Sequence, residues 1–287
     1  MRRCAPALLF CSIVVSWSPG AATRGPLPNS AGTVKFAVIG DNGTGDAAQY
    51  QLADQMARSR QRFPFELVLM MGDNFYGTQR PSDLVQKFER PYKALLEAGV
   101  RFYAALGNHD EPASVNYAPL NMSGQRYYTF TRGNVRFLVL DTNSLDPKQL
   151  QWAETTLEGS REEWKISYFH HPLYSNAGRH GDSVDLRVRL EPLLTKYGVH
   201  VVFSGHDHIY ERLKPQKGIT YFVCGSGGKL RKGDLQRAAL TAAGFDRDQA
   251  FTLVEVDAHE LHFETISRTG TTVDAGVILR GDSRKGT

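Results

Sequence analysis

The chain has 287 residues, 41% hydrophobic and 22% charged, the composition of an ordinary globular protein long enough to bury a large core. Its net charge is +4 with no basic block along it, which leaves no case for a nucleic-acid partner.

Met1-Arg2-Arg3 precedes an apolar run from Ala5 to Trp17, then Ser18-Pro19-Gly20-Ala21-Ala22. Charge, short apolar core, breaker and small residues in that order predict a secretory signal over residues 1–22. The run is too short to span a bilayer, so no stable membrane span is expected after cleavage. The expected destination is the exterior, a periplasm, or a lysosome- or vacuole-like compartment. Cys4 and Cys11 leave with the signal, so Cys224 is expected as a lone, buried packing thiol without a disulfide. Residues 23–32 read as a flexible leader, 33–280 as one domain and 281–287 as a frayed tail.

From Val34 the chain alternates strands and helices. Val34 to Ile39 reads as a strand ending at Gly40-Asp41. Asp46 caps a helix carrying Ala48, Leu52, Met56 and Ser59 on one face. Leu67 to Met71 is a buried strand that stops at Gly72-Asp73, with Tyr76 three residues beyond. A helix is expected from Leu84 to Leu96, broken or kinked at Pro91, and Gly99 ends it. Arg101 to Leu106 is a third strand, ending at Gly107-Asn108-His109-Asp110. Tyr127 to Thr131 and Val135 to Leu140 form a hairpin about Arg132-Gly133-Asn134. Asp146-Pro147 opens a short helix. Trp164 to Phe169 is a strand ending at His170-His171-Pro172. Ser183 to Tyr197 is a helix with a leucine stripe, stopped by Gly198. His200 to Phe203 is a strand ending at Ser204-Gly205-His206-Asp207-His208. The remainder is β: Ile219 to Val223, Phe251 to Val256, Leu261 to Ile266 and Thr272 to Leu279. The class is α/β, two packed mixed β-sheets flanked by α-helices.

Five strands end in a polar cluster, and sites in α/β folds gather at the carboxyl ends of strands. A carboxylate ending a buried strand, such as Asp73, is costly unless a cation meets it. Taken singly, Gly40-Asp41-Asn42-Gly43 and Gly72-Asp73 are turns, and His170-His171-Pro172 is a loop. Gly205-His206-Asp207-His208 is a stronger metal signal. Taken together, the clusters offer carboxylates, an amide, a phenol and imidazoles without thiolate, a set suited to iron, zinc or manganese. There are enough donors for two ions sharing one carboxylate, the arrangement that serves displacement at phosphorus.

This ordered set resembles the purple acid phosphatases of the calcineurin-like metallophosphoesterases. Asp41-x-Gly43, Gly72-Asp73-x-x-Tyr76, Gly107-Asn108-His109-Asp110, a strand-end His170 and Gly205-His206-x-His208 carry the likeness. With Leu140-Asp141-Thr142 they resemble the small mammalian-type tartrate-resistant members in particular. The resemblance implies a metallophosphoesterase-like sandwich. It also implies a dinuclear centre of Fe(III) with a divalent Fe, Zn or Mn. Asp41, Asp73, Tyr76 and His208 would hold the ferric ion, and Asp73, Asn108, His170 and His206 the divalent one. His109 and His180 would be the catalytic histidines, orienting phosphate and assisting the leaving group, with metal-bound hydroxide as nucleophile. His171 has no ligand role in the family and is expected at the surface or behind the ligands. The implied activity is a secreted, monomeric acid phosphatase of small phosphomonoesters or phosphoproteins. A phosphodiesterase of the same superfamily is the first alternative; those usually carry a histidine where Gly43 stands and lack Tyr76. A non-catalytic metal-dependent surface binding protein is the second.

The chain departs from the family at two places within the matched stretch. Asp41 is followed by Asn42 rather than the frequent aromatic residue. The loop Asn143 to Asp146 is short where mammalian members carry a protease-sensitive one. Asn121-Met122-Ser123 is a glycosylation sequon.

Overall fold

The computed structural model describes residues 27–281; the signal expected over residues 1–22 and the tail beyond Gly281 lie outside the described residues. Among the described residues thirteen strands form two mixed sheets. The first has the order β13-β12-β11-β1-β2-β3 and the second β10-β8-β9-β7-β6-β5-β4. Strands β1 (Val34–Ile39), β2 (Leu67–Met70) and β3 (Arg101–Ala104) run parallel, as do β5 (Val135–Val139), β6 (Trp164–Tyr168), β7 (Val201–Ser204) and β9 (Thr220–Cys224). Antiparallel partners complete each sheet: β11 (Ala250–Val256), β12 (Glu260–Ser267) and β13 (Thr272–Leu279) in the first; β4 (Tyr128–Arg132), β8 (Tyr210–Leu213) and β10 (Thr241–Phe245) in the second.

Alternation along the strands builds the layers. Phe36, Val38, Leu67 and Leu69 face the second sheet, meeting Phe137, Val139, Ile166, Phe203 and Phe222. The Phe36 ring stands edge-on to Phe137 and Phe203, at 5.4 and 6.3 Å between centroids, an arrangement favoured by the ring quadrupoles. Ala37, Ile39, Val68 and Met70 face outward under α1 (Ala47–Arg62), α2 (Pro81–Leu84) and α3 (Lys93–Glu97). Leu138, Val202 and Val223 pack under α4 (Pro147–Glu158) and α5 (Val184–Lys196). The result is helix, sheet, sheet, helix, with the central parallel strands buried on both faces, as such strands require.

The helix expected over residues 84–96 breaks at Pro91 as expected, but its first half is not a regular α-helix. A π-turn, Val85–Glu89, follows α2, and α3 starts only after Pro91, which has no N–H to continue the ladder. The π-turn aims the buried Lys87 at the loop after β2, where its Nζ donates to the carbonyls of Tyr76 (2.6 Å) and Thr78 (2.8 Å). Strands β8 and β10 were not expected. Residues 27–32, read as a leader, are tied down: the Asn29 and Ser30 amides donate to the buried Glu255 carboxylate at 2.6 Å each, and Leu27 packs on the core. Cys224 is free and buried, and burial pushes its thiol up to about 12. The sequon is engaged, since Asn121 Nδ2 donates to the Phe102 carbonyl at 2.8 Å and Met122 is buried.

Candidate metal centre

Register sets the site. Ile39 pairs with Met70 and Met70 with Ala104, so β1, β2 and β3 end level. Val139, Tyr168 and Phe203 do the same in the second sheet. The polar residues after these ends therefore meet at one edge of the sandwich. Three of them, Asp41, Asp73 and His206, take left-handed backbone angles (φ 55°, 52° and 69°), a cost that side chains bear when the turn must aim them. The two sheets are also joined across the edge, where His170 Nδ1 lies 2.9 Å from the Met71 carbonyl. That contact makes Nδ1 the donor and leaves Nε2 with a lone pair facing the site.

Two groups of donors result. One donor atom from each of Asp41, Asp73 and His208 lies within 4.8 Å of the others. Tyr76 closes this group: its Oη donates to Asp41 Oδ1 at 3.1 Å and lies 3.2 Å from His208 Nε2. In the second group Asn108 Oδ1 is 2.9 Å from His170 Nε2 and 3.0 Å from His206 Nδ1, and those two nitrogens are 3.2 Å apart. Asp73 joins the groups, with Oδ1 3.4 Å from His170 Nε2 and accepting from the His109 amide at 2.9 Å. The expected catalytic histidines flank the centre. The His109 ring is 4.8 Å from that of Tyr76, and the His180 ring 4.4 Å from that of His206; both are exposed. All nine expected site residues are thus brought together.

The electrostatics ask for cations. Asp41 is fully buried, and burial, opposed by His170 and reinforced by the Asp73 charge, holds its pKa well above the carboxylate range. Among the described residues neither Asp41 nor Asp73 has a lysine or arginine within ion-pair distance; only imidazoles approach. Burial, then Asp41 and Asp73, also raises the Tyr76 phenol. Burial, then the neighbouring imidazoles, drives His206 down to about 2, keeping it neutral, which is the ligating form. Two buried carboxylates, an amide oxygen, a phenol and imidazoles, with no thiolate, fit two hard or borderline metal ions.

Other residues contribute beyond the nine. His171 is half-buried in the site: its ring is 4.5 Å from His206, its Nδ1 is 2.9 Å from Thr142 Oγ1, and it forms a third potential donor with His170 and His206. Its signal was adjacency to His170. Asp110, pushed up to about 7 by burial, accepts from Gly107 N, Asn74 Nδ2 and Phe75 N at 2.8, 2.7 and 3.0 Å and so knits the β2 and β3 clusters. Beside Asn108 and His171 opens a groove of about 910 Å3, walled by Arg126, Asp141, Asp182 and Asp185. On the opposite side the run Gly225-Ser226-Gly227-Gly228 crosses under the first cluster. A Cβ at Gly228 would fall 2.4 Å from the Asn42 carbonyl oxygen, so only glycine permits this approach.

The family model described as calcineurin-like phosphoesterase matches residues 34–210. The rabbit (Oryctolagus cuniculus) tartrate-resistant acid phosphatase type 5 is 28% identical, covering 77% of this chain and 78% of that protein. Purple acid phosphatase 17 of Arabidopsis thaliana is 28% identical over 72% of each. Among solved structures, GAP50, the anchor in the inner membrane complex of Plasmodium, superposes with a TM-score of 0.75 at 20% identity, covering 88% of this chain and 90% of that one. Purple acid phosphatase PPD1 from yellow lupin (Lupinus luteus) seeds gives 0.72 at 20% identity, over 89% of this chain and 55% of that one.

Proposed function

The chain belongs to the calcineurin-like phosphoesterases, and from that premise we propose that it is an exported acid phosphatase acting on phosphate monoesters with an Fe(III)–divalent metal pair. The observation that carries this reading is Tyr76, whose Oη reaches both Asp41 Oδ1 (3.1 Å) and His208 Nε2 (3.2 Å). A phenolate among carboxylate and imidazole donors suits a hard ferric ion. Asp41, Asp73, Tyr76 and His208 would hold that ion. Asp73, Asn108, His170 and His206 would hold the divalent one, with Fe, Zn or Mn as candidates. The chemistry such a pair supplies is neutralisation of phosphate oxygens and a lowered pKa of water.

The protein's own groups supply the rest. His109 and His180, both exposed at the rim, can donate an imidazole N–H to the departing oxygen. Burial, then the Arg179 and Arg231 charges, lowers the pKa of His180. Its protonated, donating form is therefore confined to acid solution. Gly43 argues against the diesterase alternative, since a Cβ there would fall 1.8 Å from the Asn74 carbonyl oxygen and leaves no room for a histidine. Export rests on the N-terminal signal read from residues 1–22.

The test is to reconstitute the protein with iron and a divalent metal, record the visible spectrum and assay p-nitrophenyl phosphate near pH 5. A coloured protein that hydrolyses the monoester and spares bis-p-nitrophenyl phosphate is expected. A colourless active protein refutes the ferric role of Tyr76, and a coloured inactive one favours a binding protein.

A further inference from the structure

The two walls beside the centre differ in charge. On the groove side the acids are largely neutralised, Asp141 by Arg126 and Asp182 by Arg187, each pair at 2.5 Å. On the other side runs the loop from Gly225 to Leu240, whose sequence holds Lys229, Arg231, Lys232 and Arg237 against the single acid Asp234.

This loop is bound to the metal-ligand backbone and cannot swing free of it. The Lys229 amide donates to the Asp41 carbonyl at 2.9 Å and the Arg231 amide to the His208 carbonyl at 3.0 Å. Gly228 permits that approach, and the Lys229 Nζ comes to rest 4.9 Å from the centre of the Tyr76 ring. The loop is fastened in turn to the segment bearing His180. Gly178 N donates to the Asp234 carbonyl (2.7 Å), Gln236 N donates to the Asn176 carbonyl (2.8 Å), and Ala177 bridges Leu235. Arg179 and His180 therefore belong to the same wall as Lys229 and Arg231.

Lys229 and Arg179 are exposed, and among the described residues neither has a carboxylate within 4.0 Å. Arg231 has one acidic neighbour, Asp234, at 3.7 Å. Arg179 and Arg231 lie close enough to the exposed His180 to lower its pKa, and Lys229 lies over Tyr76; in a protein of net charge only +4 these three cations concentrate positive potential on one side of the centre.

Building on the phosphatase reading, we infer that Lys229, Arg231 and Arg179 form a subsite for a second phosphoryl group carried by the leaving group. The favoured substrates are then compounds with two phosphoryl groups, either a terminal phosphoanhydride such as a nucleoside diphosphate or a bisphosphate ester. In the reaction, water adds its oxygen to the terminal phosphorus and the bond from phosphorus to the bridging or ester oxygen breaks. One proton of the water leaves with inorganic phosphate or solvent, and the departing oxygen, where it must be neutralised, takes a proton from His180 or His109. The second phosphate stays intact on the leaving group, held by the three cations. Arginine and lysine at such a site act through charge-assisted hydrogen bonds, and each lost contact costs about tenfold in affinity.

The experiment compares kcat/KM of the metal-reconstituted full chain, at pH 5 and fixed ionic strength, for ADP, glucose 1,6-bisphosphate, glucose 6-phosphate and p-nitrophenyl phosphate. The variants are R179Q, K229Q and the double variant. The double variant is expected to lose at least tenfold more on a two-phosphate substrate than on the two monophosphates. A selective loss on ADP alone identifies the anhydride as the source of the second phosphate, and a loss on the bisphosphate alone identifies the ester. Equal losses on all four overturn the subsite. Should a variant fold poorly, wild-type calorimetry decides: methylenediphosphonate must bind at least tenfold more tightly than methylphosphonate, and equal binding overturns the proposal. If no monoester is hydrolysed at all, the phosphatase reading has failed, and the calorimetric comparison still judges the subsite by itself.

Discussion

Tyr76 packs with its ring 4.8 Å from His109 and under the Lys229 ammonium, while its hydroxyl alone touches Asp41 and His208. Phenylalanine keeps the ring contacts and removes the oxygen. Tyr76→Phe should fold normally but lose the visible band of the iron-loaded protein; an unchanged spectrum would remove Tyr76 from the ligands. Asn108 and His206 stand on the other group, so Asn108→Ala and His206→Ala should lower divalent metal content by about 10–100-fold in affinity while the colour persists. Loss of colour in both would mean that the ligands divide differently. A third residue tests electrostatics away from the metals. Burial works against ionising Glu162, yet the Ser160 hydroxyl and the Arg136 guanidinium (2.7 Å) hold its pKa down to about 2. A depressed carboxylate stabilises the fold above its unfolded pKa of about 4.3, and that contribution fades as pH falls from there toward 2. Glu162→Gln should therefore cost about 1 kcal/mol near pH 6, allowing for solvent screening, and almost nothing near pH 2, as read from urea melts at each pH.

Elements were legible where sequence chemistry is simple. An apolar run that stops at a polar cluster, most often after a glycine as at Gly40, Gly72, Gly107 and Gly205, announces a buried strand and a polar turn, which is why Asp41, Asp73, Asn108, His170 and His206 could be placed at strand ends before any coordinates. Strand β8, Tyr210–Leu213, reads as half charged, and its Glu211 is fully buried. Strand β10, Thr241–Phe245, is mostly small residues with a bulge and lacks the β-branched signature. Both depend on long-range partners that no local pattern reveals. Glu211 shows what they do. Its carboxylate accepts from Asn176 N (2.8 Å), Asn176 Nδ2 (2.8 Å) and Thr241 Oγ1 (2.6 Å), fixing the start of the segment that carries Arg179 and His180. Glu211→Ala strands three donors in a buried place and should cost about 3 kcal/mol of stability. Because it loosens His180, it should also slow esters with poor leaving groups more than p-nitrophenyl phosphate. Equal slowing of both would confine Glu211 to folding.

At the scale of the whole molecule, two sheets press their strand ends together and so bury Asp41 and Asp73 within one edge. The sandwich was readable as α/β because its central strands are apolar on both faces; the basic wall beside the centre was not, since net charge averages over the surface. The buried carboxylates tie stability to the metals. In metal-free protein the raised pKa of Asp41, caused chiefly by burial, favours its protonated form in the folded state. A group whose folded pKa is raised contributes fully below its unfolded value near 3.9 and loses that contribution as pH climbs through the folded pKa. Chelated protein should therefore become less stable from pH 4 toward neutrality. Protein loaded with iron and zinc should escape that decline, because ions bound only to the folded chain stabilise it and keep the carboxylates ionised. Calorimetric melts of loaded and chelated protein should differ little near pH 4 and by about 10 °C at pH 7. A constant gap across that range would mean that Asp41 does not govern the coupling, and no gap at either pH would mean that these donors bind no metal.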